Sequence, residues 1–205
     1  MKQILVCGDS FMAKDTPEYK GQHWSEKLDE SFRVVNIAQP GASNTMIAKQ
    51  FIDYVHKVKW DAIVIGFTNP NRYPISCYTD RYLPYVTDCW QHKLTKQQIV
   101  TVADFKDNVF TPMMAFNDYI VIRYCLQNIA ALAIPYVWTL GPFEDALAGI
   151  EDKHKFKTDF AEFEAHKHTM NLDNFKPHLD RPSFHIADQT VQQQFADVCT
   201  QMIGV

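Results

Sequence analysis

The sequence predicts an α/β protein in which helices cover both faces of a central parallel sheet. Residues 4–7 form a short apolar run that is typical of a buried strand. From there to about residue 67, apolar runs alternate with segments whose apolar residues recur at helical spacing. This strand–helix–strand succession implies right-handed crossovers, and therefore parallel strands.

The first predicted helix covers about residues 22–31, because Trp24, Leu28 and Phe32 recur at helical spacing. A second strand is predicted over residues 34–38, where the chain is again apolar. These two elements complete the first crossover of the sheet.

The second predicted helix follows a loop over residues 39–42, and Ser43 or Asn44 is expected to cap its N-terminus. Its apolar face is marked by Ile47, Phe51, Val55 and Val58. The apolar run 62–67 is then the third predicted strand.

Residues 70–112 interrupt this alternation. They are rich in Tyr, Pro, Thr and Asp and have no clean period. A segment of this length favours a functional insertion over a plain connection, although a mobile surface excursion is the alternative. Its aromatic residues suit a lid or a substrate wall: Tyr73, Tyr78, Tyr82, Tyr85 and Trp90.

Regular structure is predicted again from residue 116. A helix over residues 116–133 is expected to end before Pro135, and residues 136–140 form the fourth predicted strand. A further helix is predicted over 159–168. The last helix has an apolar face formed by Val191, Phe195, Val198 and Met202.

Length, composition and charge limit the classes of protein to which this chain could belong. The 205 residues, 46% of them hydrophobic, suit one domain, predicted over residues 3–203. The net charge of -4 argues against a nucleic-acid-binding surface, and no apolar run is long enough to span a membrane. The N-terminal apolar stretch is too short for a signal peptide, so a cytoplasmic protein is expected. A phage particle or an export route without a cleaved signal fits equally well.

The five cysteines form no Cys-x-x-Cys pair and are widely dispersed, which favours reduced thiols. Cys7 and Cys125 lie in apolar contexts and are predicted to be small core residues. His166 and His168 alternate with lysine, and no Cys/His motif supports a zinc site there. They are predicted to lie on an exposed polar helix face, and no metal or other cofactor is expected.

Three predicted strands end in residues suited to acyl chemistry. Ser10 follows the first strand, Gly41 the second and Asn69 the third, and parallel strands gather their carboxyl ends at one edge. Near the C-terminus, His185 precedes the last helix, with Asp180 shortly before it. A serine nucleophile needs a base, and histidine suits neutral pH. The amides near Ser10 and Gly41 and the side chain of Asn69 are expected to hold an oxyanion.

This ordered set resembles the SGNH hydrolases, the GDSL-type lipases and esterases, which are named for Ser, Gly, Asn and His in four separated blocks. Gly-Asp-Ser at residues 8–10 matches the nucleophile block. Asn-Ile-Ala-Gln-Pro-Gly-Ala-Ser at 36–43 is similar to the glycine block, and Gly-Phe-Thr-Asn at 66–69 to the asparagine block. His185 and the helix after it stand where the fourth block is expected.

The resemblance implies a flavodoxin-like three-layer α/β/α fold and ester hydrolysis through an acyl-enzyme. In this comparison Ser10 is the nucleophile, His185 the base and Asp180 the third member of the triad. Ser10, Gly41 and Asn69 form the oxyanion hole. The expected partner is a small-molecule or carbohydrate ester with a short acyl group, such as acetyl, because the presumed pocket wall is aromatic rather than aliphatic.

The sequence departs from the family's pattern at three positions. Pro182 stands where the triad Asp is usual, and Asp180 lies two residues earlier. If Asp180 does not orient His185, a backbone carbonyl is expected to orient it in a dyad. Ala38 replaces a common glycine, and Pro70 follows Asn69 where Asp is common. The missing Asp-x-x-His spacing favours one alternative, a non-catalytic binding module that retains the fold. Two others stay open: an O-acyltransferase using the same residues, and a flavodoxin-like regulatory or nucleotide-binding domain.

Two further residues are candidates near the site. Asp9 is next to the proposed nucleophile, and its carboxylate is expected to accept hydrogen bonds from nearby loop amides. Asp9 and Tyr73 are also the candidate substrate-binding residues.

Overall fold

The computed structural model describes residues 1–14, 23–28, 32–68, 111–141, 160–168 and 189–204. Most of the predicted insertion, residues 70–110, lies outside this part of the chain. The candidate residues Asn69, Tyr73, Asp180 and His185 lie outside it as well, and so does His178, a histidine close to His185 in sequence.

The described strands form one parallel sheet in the order β2-β1-β3-β4. Its strands are β1 (Lys2–Cys7), β2 (Phe32–Asn36), β3 (Ala62–Gly66) and β4 (Tyr136–Thr139). At the centre of the sheet, Ile4 pairs with Val34 on one side and with Ala62 on the other. This order is the flavodoxin-like one, so the predicted fold class is confirmed.

Helices cover both faces of the sheet and make three layers. Helices α1 (Trp24–Leu28) and α4 (Gln189–Ile203) pack together on one face, and α2 (Asn44–Val55) and α3 (Thr111–Ala131) on the other. Successive side chains of a strand point to opposite faces, so each strand contributes to two apolar cores. Leu5, Cys7, Ile63 and Ile65 belong to the α2–α3 side, and Ile4, Val6, Val64 and Val137 to the α1–α4 side.

Strand β2 begins two residues earlier than the sequence predicts, at Phe32, because Phe32 pairs with Lys2. The apolar spacing used to predict the helix 22–31 therefore wrongly included Phe32, which belongs to β2. Beyond the end of β2 the chain still follows β1, since Ile37 N–H donates to Val6 O at 3.0 Å. This continued pairing explains why the apolar run extends past Asn36.

Ser43 caps α2, as predicted, and its Oγ accepts from Met46 N–H at 3.4 Å. The helix ends at Val55, where Lys57 N–H turns back to Tyr54 O. Val58 is consequently 45% exposed, and its predicted place on the apolar face is wrong.

The helix predicted over 159–168 is instead a 3-10 helix, Ala161–His166, followed by a single parallel bridge between Lys167 and Trp138. Two hydrogen bonds of Trp138 hold this segment in place. Its Nε1–H donates to Phe163 O at 2.9 Å, and its carbonyl accepts from His168 N–H at 2.9 Å. The segment thus lies along the outer side of β4.

The last helix is confirmed, but its buried face is displaced by one position from the predicted one. The buried residues are Gln192, Phe195, Ala196, Cys199 and Ile203. Gln192 is buried because its Oε1 accepts from the Trp24 N–H at 2.7 Å, at the N-terminus of α1. The buried face of α4 therefore includes a polar residue that is hydrogen-bonded to α1.

The prediction that Cys7 and Cys125 are core residues is confirmed, and both are free thiols, as is Cys199. Burial raises the pKa of the Cys125 thiol to about 12. None of the helices in the described ranges is long and apolar enough to cross a membrane.

Met12 fills a notch between the ends of β1 and β3, and this notch requires glycine on both strands. A Cβ at Gly66 would lie 2.4 Å from Met12 Cγ, and one at Gly8 would lie 2.3 Å from the same atom. Substitution of either glycine therefore displaces Met12 and the chain around it.

We predict that Gly66→Ala lowers the free energy of unfolding by about 1–3 kcal/mol, because it overpacks this notch. Met12→Ala is also destabilising, but the double variant should lose about 1 kcal/mol less than the sum of the two single losses. Urea unfolding of the four proteins measures this coupling. Additive losses would show that the Cβ of residue 66 does not meet Met12.

Candidate active site

Ser10 lies in a tight turn at the carboxyl end of β1. The turn, residues 8–13, is closed by Met12 N–H and Ala13 N–H, which both donate to Asp9 O, at 3.1 and 3.0 Å. Ser10 is 4% exposed. The structure therefore places this serine at the edge of the sheet where the sequence predicts it.

Gly8, at the start of the Ser10 turn, is held by a side-chain amide of α2. Gln50 Oε1 accepts from Gly8 N–H at 2.9 Å, and Gln50 Nε2 donates to Gly8 O at 3.1 Å. The same carbonyl accepts from Gln39 N–H at 3.0 Å. The main chain before Ser10 is thus fixed by both α2 and the loop after β2.

Asp9 is 1% exposed, and both of its carboxylate oxygens accept hydrogen bonds. Oδ1 accepts from Phe11 N–H at 2.9 Å, which confirms the expected bond to a loop amide. Oδ2 accepts from Thr68 Oγ1–H at 2.6 Å. Asp9 thereby joins the Ser10 turn to the chain beyond β3, and its contact with substrate stays a prediction.

The predicted glycine block contacts the Ser10 turn through Asn36. Asn36 Nδ2 donates to Met12 O at 2.7 Å, and its Oδ1 accepts from Ala38 N–H at 3.1 Å. Gly41 has a φ of 80°, in the left-handed region that favours glycine, within a turn in which Ala42 N–H donates to Gln39 O. Glycine at position 41 is thus required by the backbone.

A buried network links the chain after β3 to α2 and α3. Asn44 pairs with the main chain of Thr68: its Oδ1 accepts from Thr68 N–H at 2.8 Å, and its Nδ2 donates to Thr68 O at 2.9 Å. Asn44 Nδ2 also donates to Asp118 Oδ2 at 2.9 Å. Asn69, the predicted oxyanion donor, is the next residue in sequence after Thr68.

His23 is a buried histidine that the sequence reasoning missed. Its Nε2 lies 3.2 Å from Phe11 O, and its Nδ1 lies 2.8 Å from Ser25 Oγ. A carbonyl can only accept, so Nε2 carries the proton, and Nδ1 accepts from Ser25 N–H at 3.2 Å. Burial lowers the pKa of His23 to about 4, so the ring is neutral at pH 7. Its neighbours in sequence gave no motif that could have identified it.

Asp9, Ser10 and Gly41 are therefore the sequence-predicted site residues that the structure places. The predicted exposed face at His166 and His168 is wrong, because His166 stacks on Tyr136 at 4.1 Å between ring centroids and His168 contacts Phe195 at 5.2 Å. Across the described ranges, no group of three or more His, Cys, Asp or Glu side chains could hold a metal ion.

No protein-family model and no curated protein matches this sequence. Solved structures, however, match almost the whole chain. A protein assigned to the G-D-S-L lipolytic family from Desulfitobacterium hafniense has 14% identity and a TM-score of 0.58, covering 97% of this chain and 99% of its own. The esterase EstA from Pseudoalteromonas sp., in a structure inhibited by monoethylphosphonate, has 9% identity and a TM-score of 0.56, covering 100% and 97%. The chain has the fold of the SGNH hydrolases.

The same fold occurs in Axe2, an acetylxylan esterase from Geobacillus stearothermophilus. It has 12% identity and a TM-score of 0.56, and the match covers 99% of this chain and 94% of that one. Two of the Axe2 structures are catalytic mutants, in which a serine and a histidine, respectively, are replaced by alanine. At these identities the similarity shows the SGNH fold, and it confirms the predicted resemblance at that level.

Because His23 is buried in its neutral form, we predict that the free energy of unfolding decreases in acid. Its pKa is about 4 in the folded chain and 6.5 as a free group, so the unfolded chain binds more protons between these values. The stabilisation is complete above pH 6.5 and is lost as the pH falls towards 4. We expect the free energy of unfolding to drop by about 2–3 kcal/mol over this window.

Urea unfolding of wild type and His23→Gln between pH 4 and 7.5 measures this loss. Glutamine can still donate to Phe11 O but does not ionise, so the variant should have a flatter profile. His56→Gln, at the exposed C-cap of α2, is the matched control and should keep the wild-type slope. Parallel profiles for wild type and His23→Gln would contradict the assignment.

Proposed function

We propose that this protein is a serine esterase that hydrolyses carboxylic esters through an acyl-enzyme on Ser10. Ser10 Oγ attacks the ester carbonyl carbon while His185 accepts the hydroxyl proton. The N–H groups of Ser10 and Gly41 and the Nδ2 of Asn69 donate to the resulting oxyanion. His185 then protonates the leaving alcohol, and water activated by His185 releases the acid from Ser10.

The observation that carries this proposal is the fixed main chain on both sides of Ser10. An oxyanion hole is effective when its donors are oriented before the reaction, so that no reorganisation accompanies the formation of charge. Gly8 is held at its N–H and C=O by Gln50, and the Asp9 carbonyl accepts two amides of the following turn. The Ser10 amide lies between these anchored groups.

The matched structures support the same reaction class. EstA is an esterase whose structure shows it inhibited by monoethylphosphonate. In the catalytic mutants of Axe2, a serine and a histidine, respectively, are replaced by alanine. Those two residue types are the ones assigned here to Ser10 and His185. Asp180 is proposed to orient His185, and a backbone carbonyl would replace it if the histidine works in a dyad.

We propose a short acyl group on a carbohydrate as the substrate. The aromatic composition of the insertion favours a sugar-binding wall, with Tyr73 as its first candidate residue. Two of the proteins with the same fold, AlAXEase and Axe2, are acetyl xylan esterases. Asp9, whose two carboxylate oxygens both accept hydrogen bonds, is proposed to anchor the Ser10 turn.

The second candidate is a binding module that keeps the SGNH fold without catalysis, and Pro182 at the usual position of the triad Asp favours it. The two functions are separated by covalent labelling. A fluorophosphonate probe should label Ser10, as identified by mass spectrometry, and Ser10→Ala should abolish the label. Ser43→Ala removes another buried serine, the cap of α2, and should retain it.

Histidine variants test the base. His185→Ala should lower kcat for p-nitrophenyl acetate by about 10²-fold or more, since general-base catalysis contributes at least that much. His178→Ala is the matched control and should stay near wild type. Loss of activity in His178→Ala with full activity in His185→Ala would contradict the assignment.

Substrate preference is tested by comparing p-nitrophenyl acetate with p-nitrophenyl octanoate. We expect kcat/KM to be at least about 10-fold higher for acetate, a difference of about 1.4 kcal/mol in transition-state binding. A preference for octanoate would contradict the short-acyl proposal. Release of free acetate from an acetylated xylo-oligosaccharide indicates hydrolysis, whereas its transfer to an added sugar indicates the acyltransferase.

A further inference from the structure

We infer that Asp118 on α3 is a positioning residue for this site, because it holds the side chain of Asn44, which fixes the main chain of Thr68. The inference rests on the proposed function, in which Asn69, the next residue, donates to the oxyanion. Asp118 is 108 positions from Ser10 in sequence, and the sequence pattern gives it no role beyond a place in a predicted helix.

The first link is between Asp118 and Asn44. Asn44 is fully buried, and its Nδ2 has two hydrogens, one donated to Thr68 O and the other to Asp118 Oδ2, both at 2.9 Å. Without an acceptor at position 118, the second hydrogen would be buried and unpaired. The Asn44 amide would then be free to rotate towards another acceptor.

The second link is between Asn44 and the chain beyond β3. The Asn44 amide pairs with Thr68 at both N–H and C=O, in the manner of a neighbouring strand. The hydroxyl of the same residue donates to Asp9 Oδ2. A continuous series of hydrogen bonds therefore joins Asp118, Asn44, Thr68 and Asp9, and it ends next to Ser10.

Packing alone does not explain a carboxyl group at position 118. Asp118 is 1% exposed, and its Oδ1 has no hydrogen-bond partner. An apolar residue of similar size would fill this place at lower cost, since burying an unpaired polar oxygen is unfavourable. The Asn44 contact is the interaction that an apolar residue could not make.

The charge on Asp118 is expected to affect the site. Burial raises the pKa of Asp118 to about 7, and the Asn44 hydrogen bond opposes this rise. The ionisable groups on the surrounding elements are Lys49, Asp53 and Tyr54 on α2, Tyr119, Arg123, Tyr124 and Cys125 on α3, Tyr136 on β4, and Asp9. None of these is hydrogen-bonded to Asp118. Above pH 7 the carboxylate would be a buried anion at the end of the hydrogen-bond series that leads to the Ser10 turn, where it would oppose formation of an oxyanion. We therefore expect kcat of the wild type to decline above pH 7.

The test compares Asp118→Ala, Asp118→Asn and a packing control, Ile122→Ala, one turn along the same helix and fully buried. Labelling of Ser10 by the phosphonate and the kinetics of p-nitrophenyl acetate hydrolysis are measured from pH 5.5 to 8.5. Asp118→Ala should lower kcat by about 10-fold or more with KM changed less than about 2-fold, because small misplacements of catalytic groups are costly. Ile122→Ala, compared at equal folded fraction, should keep kcat within about 2-fold.

Asp118→Asn should keep most of the wild-type activity, because its side-chain amide oxygen can still accept the hydrogen bond from Asn44 Nδ2. We expect its kcat at pH 6 to be within about 3-fold of wild type, and the decline of wild-type kcat above pH 7 should be absent from the variant. Equal losses in Asp118→Ala and Ile122→Ala, or the same decline in Asp118→Asn as in wild type, would overturn the inference.

Amide hydrogen exchange keeps the inference testable if the wild type neither labels nor hydrolyses esters, a result that would refute the proposed function. The Thr68 amide should exchange about 10-fold faster in Asp118→Ala than in wild type, since its acceptor Asn44 loses an anchor. It should be unchanged in Asp118→Asn and Ile122→Ala. Unchanged protection of Thr68 in Asp118→Ala would overturn the positioning role independently of catalysis.

Discussion

The carboxyl edge of the sheet depends on the pairing of buried main-chain groups beyond the strand ends. Inside the sheet, N–H and C=O groups pair with neighbouring strands, but beyond the strand ends some of these groups lack a strand partner. Three side-chain amides supply it: Gln50 at Gly8, Asn44 at Thr68, and Asn36 at Met12. A carboxamide can donate and accept at once, which is why it can replace a strand in this position. The Ser10 turn has its shape because these pairs exist.

The fold was predictable from sequence because it depends on apolar patterns that are local. The runs at 4–7 and 62–67 identify central strands, and the periodicity around Ile47 identifies α2. The contacts of these three amides were not predictable, because they join residues 24 to 42 positions apart in sequence and no local pattern marks them. Gln192 shows the same limit, because it is a polar residue on the buried face of α4, where it bonds to Trp24, and apolar spacing alone does not predict that face. Ser10 and Gly41 could be identified because each follows a strand whose end is recognisable in the sequence. The roles of His23 and Asp118 depend instead on contacts with residues 12 and 74 positions away in sequence, which no local pattern indicates.

The low identity to proteins of the same fold has a related cause. Many combinations of apolar residues can fill the core on either face of a parallel sheet, so the sheet and its helices tolerate extensive substitution while the architecture persists. At 9–14% identity, the shared architecture is seen in the arrangement of elements rather than in the residues. Among the residues that the structure describes, Gly8 and Gly66 at the carboxyl edge are strictly specified, because no Cβ fits there beside Met12.

The hydrogen bond between Trp24 and Gln192 has a consequence for biosynthesis. It joins residues 168 positions apart, and Trp24 also packs edge-to-face on Phe195. During translation, α1 therefore lacks the helix on which it packs until residues 189–203 have left the ribosome. Ile4 and Val6, which are among the first residues made, belong to the apolar core that α4 completes. Until then this apolar core is incomplete, and incompletely packed apolar surface is what makes partly folded chains prone to aggregation.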